Sequence, residues 1–156
     1  MICKMNRKEK QKWYKKEFEE INQVIKNKNS LSYLDFLRIR NFKLQNSSVE
    51  DKEHIKEVTQ EAFKLATGDK IEEAIEKLLE LNGVAVPIAS TILAMKFPNK
   101  FAIIDRIVLT NLGKNDWLKR YTTDPKIYLE YLSLIRKKAK EKGLDLRDYE
   151  RRLFED

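Results

Sequence analysis

Cysteine is almost missing from this 156-residue chain: Cys3 stands alone, which excludes an internal disulfide, a cysteine-ligated zinc site and a four-cysteine iron–sulfur cluster within one chain. Histidine is equally scarce. His54 is the sole one, no paired carboxylates at helical spacing make it a ligand, and it reads as a surface or capping residue, so no metal site and no resident cofactor are expected. No apolar run approaches the roughly 20 residues that span a bilayer, and the stretch from Met1 to Lys8 lacks the apolar core of a signal peptide. No membrane partner is expected, and a cytoplasmic location follows as the default. Glycine and proline are also rare, at four and three residues, and no Asn-Gly or Asp-Gly pair separates two alternating runs. Internal repeats, linkers and low-complexity tracts are absent from the sequence as well.

What the chain has in quantity is charge. Lysine and arginine total 32 against 25 aspartates and glutamates, a net charge of +7, with 37% of residues charged. A basic balance favours a polyanionic partner, although the Lys- and Glu-rich composition of proteins from hot or AT-rich genomes has the same look. At this length one domain is expected, burying about two-thirds of its unfolded surface. Gly68, Gly83, Gly113 and Gly143 each follow an apolar-periodic segment, where a helix end favours a residue free to take positive φ. Pro87 and Pro125 stand where a first helical turn could begin. The pattern predicts an all-α domain of about seven or eight helices.

A first helix is expected over about 7–27, with Tyr14, Phe18, Ile21 and Ile25 on one face. Its basic start (Arg7, Lys8, Lys10, Lys12, Lys15, Lys16) fits a solvated face first and a phosphate-binding stripe second. A second helix follows near 31–43, carrying Arg38, Arg40 and Lys43. Ser47-Ser48-Val49-Glu50 is a capping-box signature that opens a third, to about 67, and Asp69-Lys70-Ile71-Glu72 repeats it for a fourth. In the fourth, Ile71, Ala74, Ile75, Leu78 and Leu79 follow the i, i+3, i+4, i+7, i+8 spacing of an amphipathic helix. Later helices begin at Pro87, directly after Asp105, at Asp124-Pro125 (running to about 142) and at Asp145. Phe101-Ala102-Ile103-Ile104 would read as a strand, but no second strand exists to pair with it, and it is expected as a buried extended connector.

The stretch that stands out is the segment of about 70–97, where Asn82-Gly83 ends one helix and Pro87 opens the next only four residues later. Two helices joined so closely are expected to pack as a hairpin, with Ile88, Ala89, Ile92 and Leu93 against the preceding one. The backbone amides of residues 83–86 would then stand at a helix N-terminus, where orphan donors and the helix dipole favour an anion. An ordinary αα-corner needs the same glycine for geometry alone. In the segment 98–112, Asp105 precedes a short helix ending at Gly113, a position that suits an N-cap.

Leu81, Gly83, Val84 and Ala89, followed by an apolar run that ends in Asp105, resemble the helix-hairpin-helix DNA glycosylase superfamily, in which the hairpin reads Leu-Pro-Gly-Val-Gly-x-Lys-Thr-Ala and an apolar Val-Asp comes later. The likeness is greatest to small uncharacterised members with Gly-Val-x-Val-Pro-x-Ala-Ser and Ile-Ile-Asp, and its specific part covers about residues 74–112. Pro87 and Asp105 are 18 positions apart (105 − 87), the family's separation between its lyase lysine and its catalytic aspartate. The resemblance implies double-stranded DNA as the partner and a nucleoid association. It implies that the hairpin from Asn82 through Gly83, Val84, Ala85 and Val86 binds a phosphate, often with a monovalent cation on hairpin carbonyls. It further implies that Asp105 faces the sugar of an extruded nucleotide and supports cleavage of its N-glycosidic bond. Lys96, Lys100 and Arg106 are expected as phosphate contacts. Pro87 occupies the lysine position, which argues against lyase chemistry from the hairpin, and Ala85 replaces the second hairpin glycine.

Three functions fit these residues. One is a monofunctional DNA base-excision glycosylase, with Asp105 as catalyst and stacking surfaces drawn from Trp13, Tyr14, Tyr33, Trp117 and Tyr121. Another is a non-enzymatic helix-hairpin-helix module that binds DNA only. The third is a helical scaffold in which the hairpin is a packing corner.

Overall fold

A computed structural model describes residues 4–43 and 51–155, and among these residues all regular structure is helical. The elements are α1 (Arg7–Ile25), α2 (Tyr33–Lys43), α3 (Lys52–Thr67), α4 (Ile71–Leu78), α5 (Val86–Lys96), α6 (Arg106–Asn111), a 3-10 turn at Asn115–Trp117, α7 (Pro125–Glu141) and α8 (Leu146–Glu155). The all-α expectation holds for them.

The fold is built around α5. Val86, Ile88, Ala89, Ser90, Thr91, Ile92, Leu93, Ala94 and Met95 are all buried, so this helix presents apolar surface in every direction. A helix of that kind has to be enclosed by others, and α1, α2 and α4 enclose it. Ser90 and Thr91 are accommodated because both hydroxyls donate back to the Pro87 carbonyl at 2.8 Å. The helix preceding the Gly83 turn, α4, packs chiefly on α3 and also touches α7 and α5. Its partner is therefore less exclusively α5 than a simple hairpin would require.

Local chemistry sets the helix ends. Asn6 and Glu9 form a capping box at the start of α1. Asp51 caps α3 by accepting from the Glu53 amide at 2.9 Å; the Ser47–Glu50 signature lies outside the described residues. The second predicted capping box does not form. Asp69 takes φ +59° and Gly68 φ −85°, while the Lys70 amide reaches back to the Leu65 carbonyl at 2.9 Å. That is the closure of a helix C-terminus around one left-handed residue. A residue in that conformation cannot also be the extended N-cap of α4, and the N-cap position falls to Lys70, which makes no side-chain capping bond. Aspartate tolerates the left-handed region better than most side chains, so the glycine is spared the role expected of it.

Residues 101–104 form the extended connector, and all four are buried. Buried backbone polar groups must find partners, and here side chains provide them. Tyr128 donates its hydroxyl to the Ala102 carbonyl at 2.9 Å and Tyr131 to the Ile103 carbonyl at 2.7 Å. The Ile103 amide donates to Glu150 Oε1 at 3.1 Å, and the Ile104 amide to Ser90 Oγ at 3.1 Å. Helices α5, α7 and α8 thus hold the connector from three sides, and it delivers Asp105 to the start of α6. Removing one such partner leaves a buried carbonyl unpaired. Tyr131→Phe is expected to lower stability by about 1–3 kcal/mol, read as a shift in the midpoint of urea denaturation with the helical circular dichroism spectrum unchanged.

Candidate functional site

Helix α2 fixes the two ends of the site. Arg40, a buried residue, donates from its guanidinium to the Asn82 carbonyl at 3.2 Å, pinning the turn between α4 and α5. One helical turn later, Lys43 Nζ lies 3.0 Å from Asp105 Oδ2. The spacing of Arg40 and Lys43 puts both side chains on one face of α2. Asp105 caps α6 with its other oxygen, Oδ1 accepting from the Val108 amide at 2.8 Å. The carboxylate is held on both sides, yet its side chain and that of Lys43 stay 13% and 17% exposed.

The turn leaves fewer open amides than its sequence suggests. Gly83 has φ +73°, a conformation that favours glycine. The Val84 amide closes on the Leu81 carbonyl at 3.1 Å, and the Val86 amide donates to the Thr122 carbonyl at 2.9 Å. These two amides were expected to be open to an anion. They are consumed because the turn closes on itself and the segment before α7 covers the start of α5. The amides of Gly83, Ala85 and Ile88 have no protein acceptor among the described residues, and these three residues line a cleft. A cation on the Asn82 carbonyl would meet the Arg40 guanidinium already bonded there, so the turn does not fit one at that oxygen. Among the described residues no cluster of His, Cys, Asp and Glu is arranged to hold a metal.

The cleft has a volume of about 530 Å³, within the range of about 300–1,000 Å³ typical of small-molecule sites. Its floor is the 83–88 turn and the connector end, Ile103 and Asp105. One wall is aromatic: Tyr14 packs edge-on against Phe42 at 5.1 Å and Phe154 at 5.9 Å between ring centroids, and all three line the space. Tyr121 lines it as well. Burial, with the Asp105 charge adding to it, holds the Tyr121 phenol above its ordinary range. Trp13 lies outside the lining, stacked on Phe42 with centroids 6.1 Å apart, and Tyr33 and Trp117 do not line it either. A second depression of about 520 Å³ shares Gln11, Tyr14, Ile107 and Phe154 with the first and adds Arg7 and Lys10 of α1. Part of the basic start of α1 therefore lines a depression adjoining the cleft.

Glu150 forms the remaining polar wall. Its carboxylate accepts from the Ile103 amide and, at 2.9 Å, from Arg147, whose guanidinium lies 3.7 Å from the Phe18 ring centroid. Burial raises its carboxyl above the ordinary value; Arg147 opposes this and Asp105 reinforces it. No sequence signal marks Glu150, whose neighbours Arg147, Asp148, Arg151 and Arg152 are charged as well. Lys43 was legible only as one of several cations on α2.

The predicted contacts divide. Arg106 is exposed at the rim of the cleft. Lys96 and Lys100 are elsewhere, at and beyond the end of α5 opposite the turn. Lys96 Nζ donates to the Ile25, Lys26 and Lys28 carbonyls at 3.1, 2.7 and 2.6 Å, closing the C-terminus of α1, and burial pulls its ammonium below the usual range. Lys100 Nζ bonds the Ala66 carbonyl at 3.3 Å and lies 3.4 Å from Asp69.

Two outcomes follow from these placements. Lys96→Ala is expected to lower stability by about 1–2 kcal/mol, as lost capping bonds to helix carbonyls do, while duplex affinity in a fluorescence-anisotropy titration stays unchanged. For Glu150, the folded state holds its proton more tightly than the unfolded one, so stability falls as pH rises from the ordinary 4.5 through the raised folded value. Urea denaturation across this window is expected to show a flatter pH dependence in Glu150→Gln than in the unaltered protein.

Comparison of the chain with protein-family models, with curated proteins and with solved structures finds no match for any of the three.

Proposed function

We propose that the protein is a DNA base-excision glycosylase-like enzyme, in which the turn between α4 and α5 acts as a helix-hairpin-helix motif on double-stranded DNA. The observation that carries this reading is the position of Asp105, on the floor of an open cleft beside the 83–88 turn. A phosphate at the Gly83, Ala85 and Ile88 amides would set the adjoining nucleotide over that floor. Extruded from the duplex, its base would stack on the Tyr14 or Tyr121 side of the cleft. Cleavage of an N-glycosidic bond leaves cationic charge on the sugar, and a fixed carboxylate stabilises it. The residue pattern of 81–105 supports the same assignment, with Pro87 leaving no amine on the hairpin itself. Arg106 at the rim and Lys10 in the adjoining groove supply positive charge for the flanking phosphates.

One observation favours a non-enzymatic DNA-binding module instead: both Asp105 oxygens are already engaged, by the Val108 amide and by Lys43. Asp105→Asn separates the two readings, since asparagine still caps α6. Against a panel of lesion-containing duplexes, the variant is expected to lose base release by about 100-fold or more, with salt-dependent duplex binding retained. Binding without base release by the unaltered protein would establish the module, and no DNA binding at low salt would defeat both.

A further inference from the structure

The cleft holds two phenols, those of Tyr14 and Tyr121. Tyr14 belongs to the aromatic wall and lines the adjoining depression as well, whereas Tyr121, like Asp105, lines only the cleft. Backbone bonds fix Tyr121 beside the start of α5. Its amide donates to the Trp117 carbonyl at 3.0 Å, and the carbonyl of the next residue, Thr122, accepts from the Val86 amide at 2.9 Å. The buried phenols Tyr128 and Tyr131 donate to connector carbonyls, but the Tyr121 hydroxyl has no hydrogen-bond partner among the described residues. Burial first and the Asp105 charge second, against Arg106, keep this phenol protonated through neutral pH, so it meets the cleft as a donor. Other polar groups of the cleft are engaged: Lys43 holds Asp105, and Glu150 accepts with both oxygens, from the Ile103 amide and from Arg147. We propose that Tyr121 is the general acid of the site, giving its hydroxyl proton to the departing base, and that the bases removed are neutral ones; this rests on the reading of the cleft as a glycosylase site.

The need for an acid follows from charge. A neutral base that leaves with the C1′–N bonding electrons becomes an anion, and the nearby Asp105 carboxylate repels it. A base with a fixed positive charge leaves neutral and needs no proton. Because Asp105 is assigned to the sugar, a phenol that feels its charge stands close to where that bond breaks. The step balances with water alone. The C1′–N electron pair passes to the base as the Tyr121 O–H proton is transferred to it, leaving a phenolate and a cationic sugar. Water adds its oxygen at C1′ and loses a proton to Asp105. That proton returns to the phenolate by way of solvent, so the products are the free base and a sugar hydroxyl.

The test is base release from lesion-containing duplexes by the unaltered chain and by Tyr121→Phe, which keeps the ring and removes the hydroxyl. Each neutral base that is released is paired with a counterpart that departs more easily: fluorinated for a pyrimidine, or methylated at N7, and so positively charged, for a purine. Tyr121→Phe is expected to keep its melting temperature and its duplex affinity in fluorescence anisotropy, since no bond within the fold is lost. Release of neutral bases is expected to fall by about 100-fold or more, and release of the easily departing counterparts by less than about 10-fold. A part played only in stacking or packing would lower both kinds alike, and that result would overturn the proposal. So would undiminished release of neutral bases by the variant, or release by the unaltered chain confined to positively charged bases. Each of these outcomes leaves the glycosylase reading standing and removes Tyr121 alone. Failure of the unaltered chain to release any base removes the glycosylase reading itself, and the role of Tyr121 with it.

Discussion

Ala102, Ile103 and Ile104 run through the interior as extended backbone with no neighbouring strand among the described residues, and the structure depends on how their polar groups are paired. Two tyrosine hydroxyls, one serine hydroxyl and one carboxylate do this work. An unpaired buried peptide group costs about 1–3 kcal/mol, comparable to a sizeable part of a domain's total stability. Leaving several unpaired would defeat folding. The connector therefore dictates that α5 carry a serine at position 90, that α7 place tyrosines at 128 and 131, and that α8 bury a glutamate. Helices distant in sequence are tied to one segment, and that segment ends in Asp105.

The same arrangement couples the fold to the cleft. Glu150 supports the connector through Ile103 and also lines the cleft; Asp105 begins α6 and lies on the cleft floor. From the other side, α2 grips the Asn82 carbonyl with Arg40 and Asp105 with Lys43. The turn and the acid are thus positioned by one helix, although they are 23 positions apart (105 − 82) in the chain. Held in this way, the acid and the turn amides keep a fixed spacing, which suits a site that must meet a phosphate and a sugar of the same nucleotide.

How much of this was legible in the sequence varied with the range of the interaction. Helical periodicity marked most elements, because the burial of one face is a local pattern: Phe18, Ile21 and Ile25 of α1 and Ala74, Ile75 and Leu78 of α4 are all buried as their spacing predicts. The connector was legible too, by the lack of a partner strand. Caps were less so. Asp69 has the residue type for an N-cap, but the closure of α3 claims its backbone first. At the site, Gly83 and Asp105 could be singled out from spacing, whereas Arg40, Lys43 and Glu150 could not. Their roles arise from contacts across 42, 62 and 47 positions, and nothing in a local pattern distinguishes them from the chain's other charged residues.

That last difficulty is general to a chain this rich in lysine. Lys96 and Lys100 looked like ligands for phosphate because they follow the hairpin closely in sequence. In three dimensions an 11-residue helix carries them to the far end of α5, about 16 Å away at 1.5 Å per residue. There the nearest acceptors are helix carbonyls. A cation near a helix C-terminus satisfies orphan carbonyls and opposes the dipole at once, so Lys96 is drawn to the end of α1 by the same electrostatics that would otherwise have drawn it to DNA. Net charge consequently overstates the polyanion-facing surface: what matters is which cations lack an internal acceptor. Lys43 is the informative exception, since its internal partner is the one acid on the cleft floor, and the pair is shared between the fold and whatever occupies the cleft.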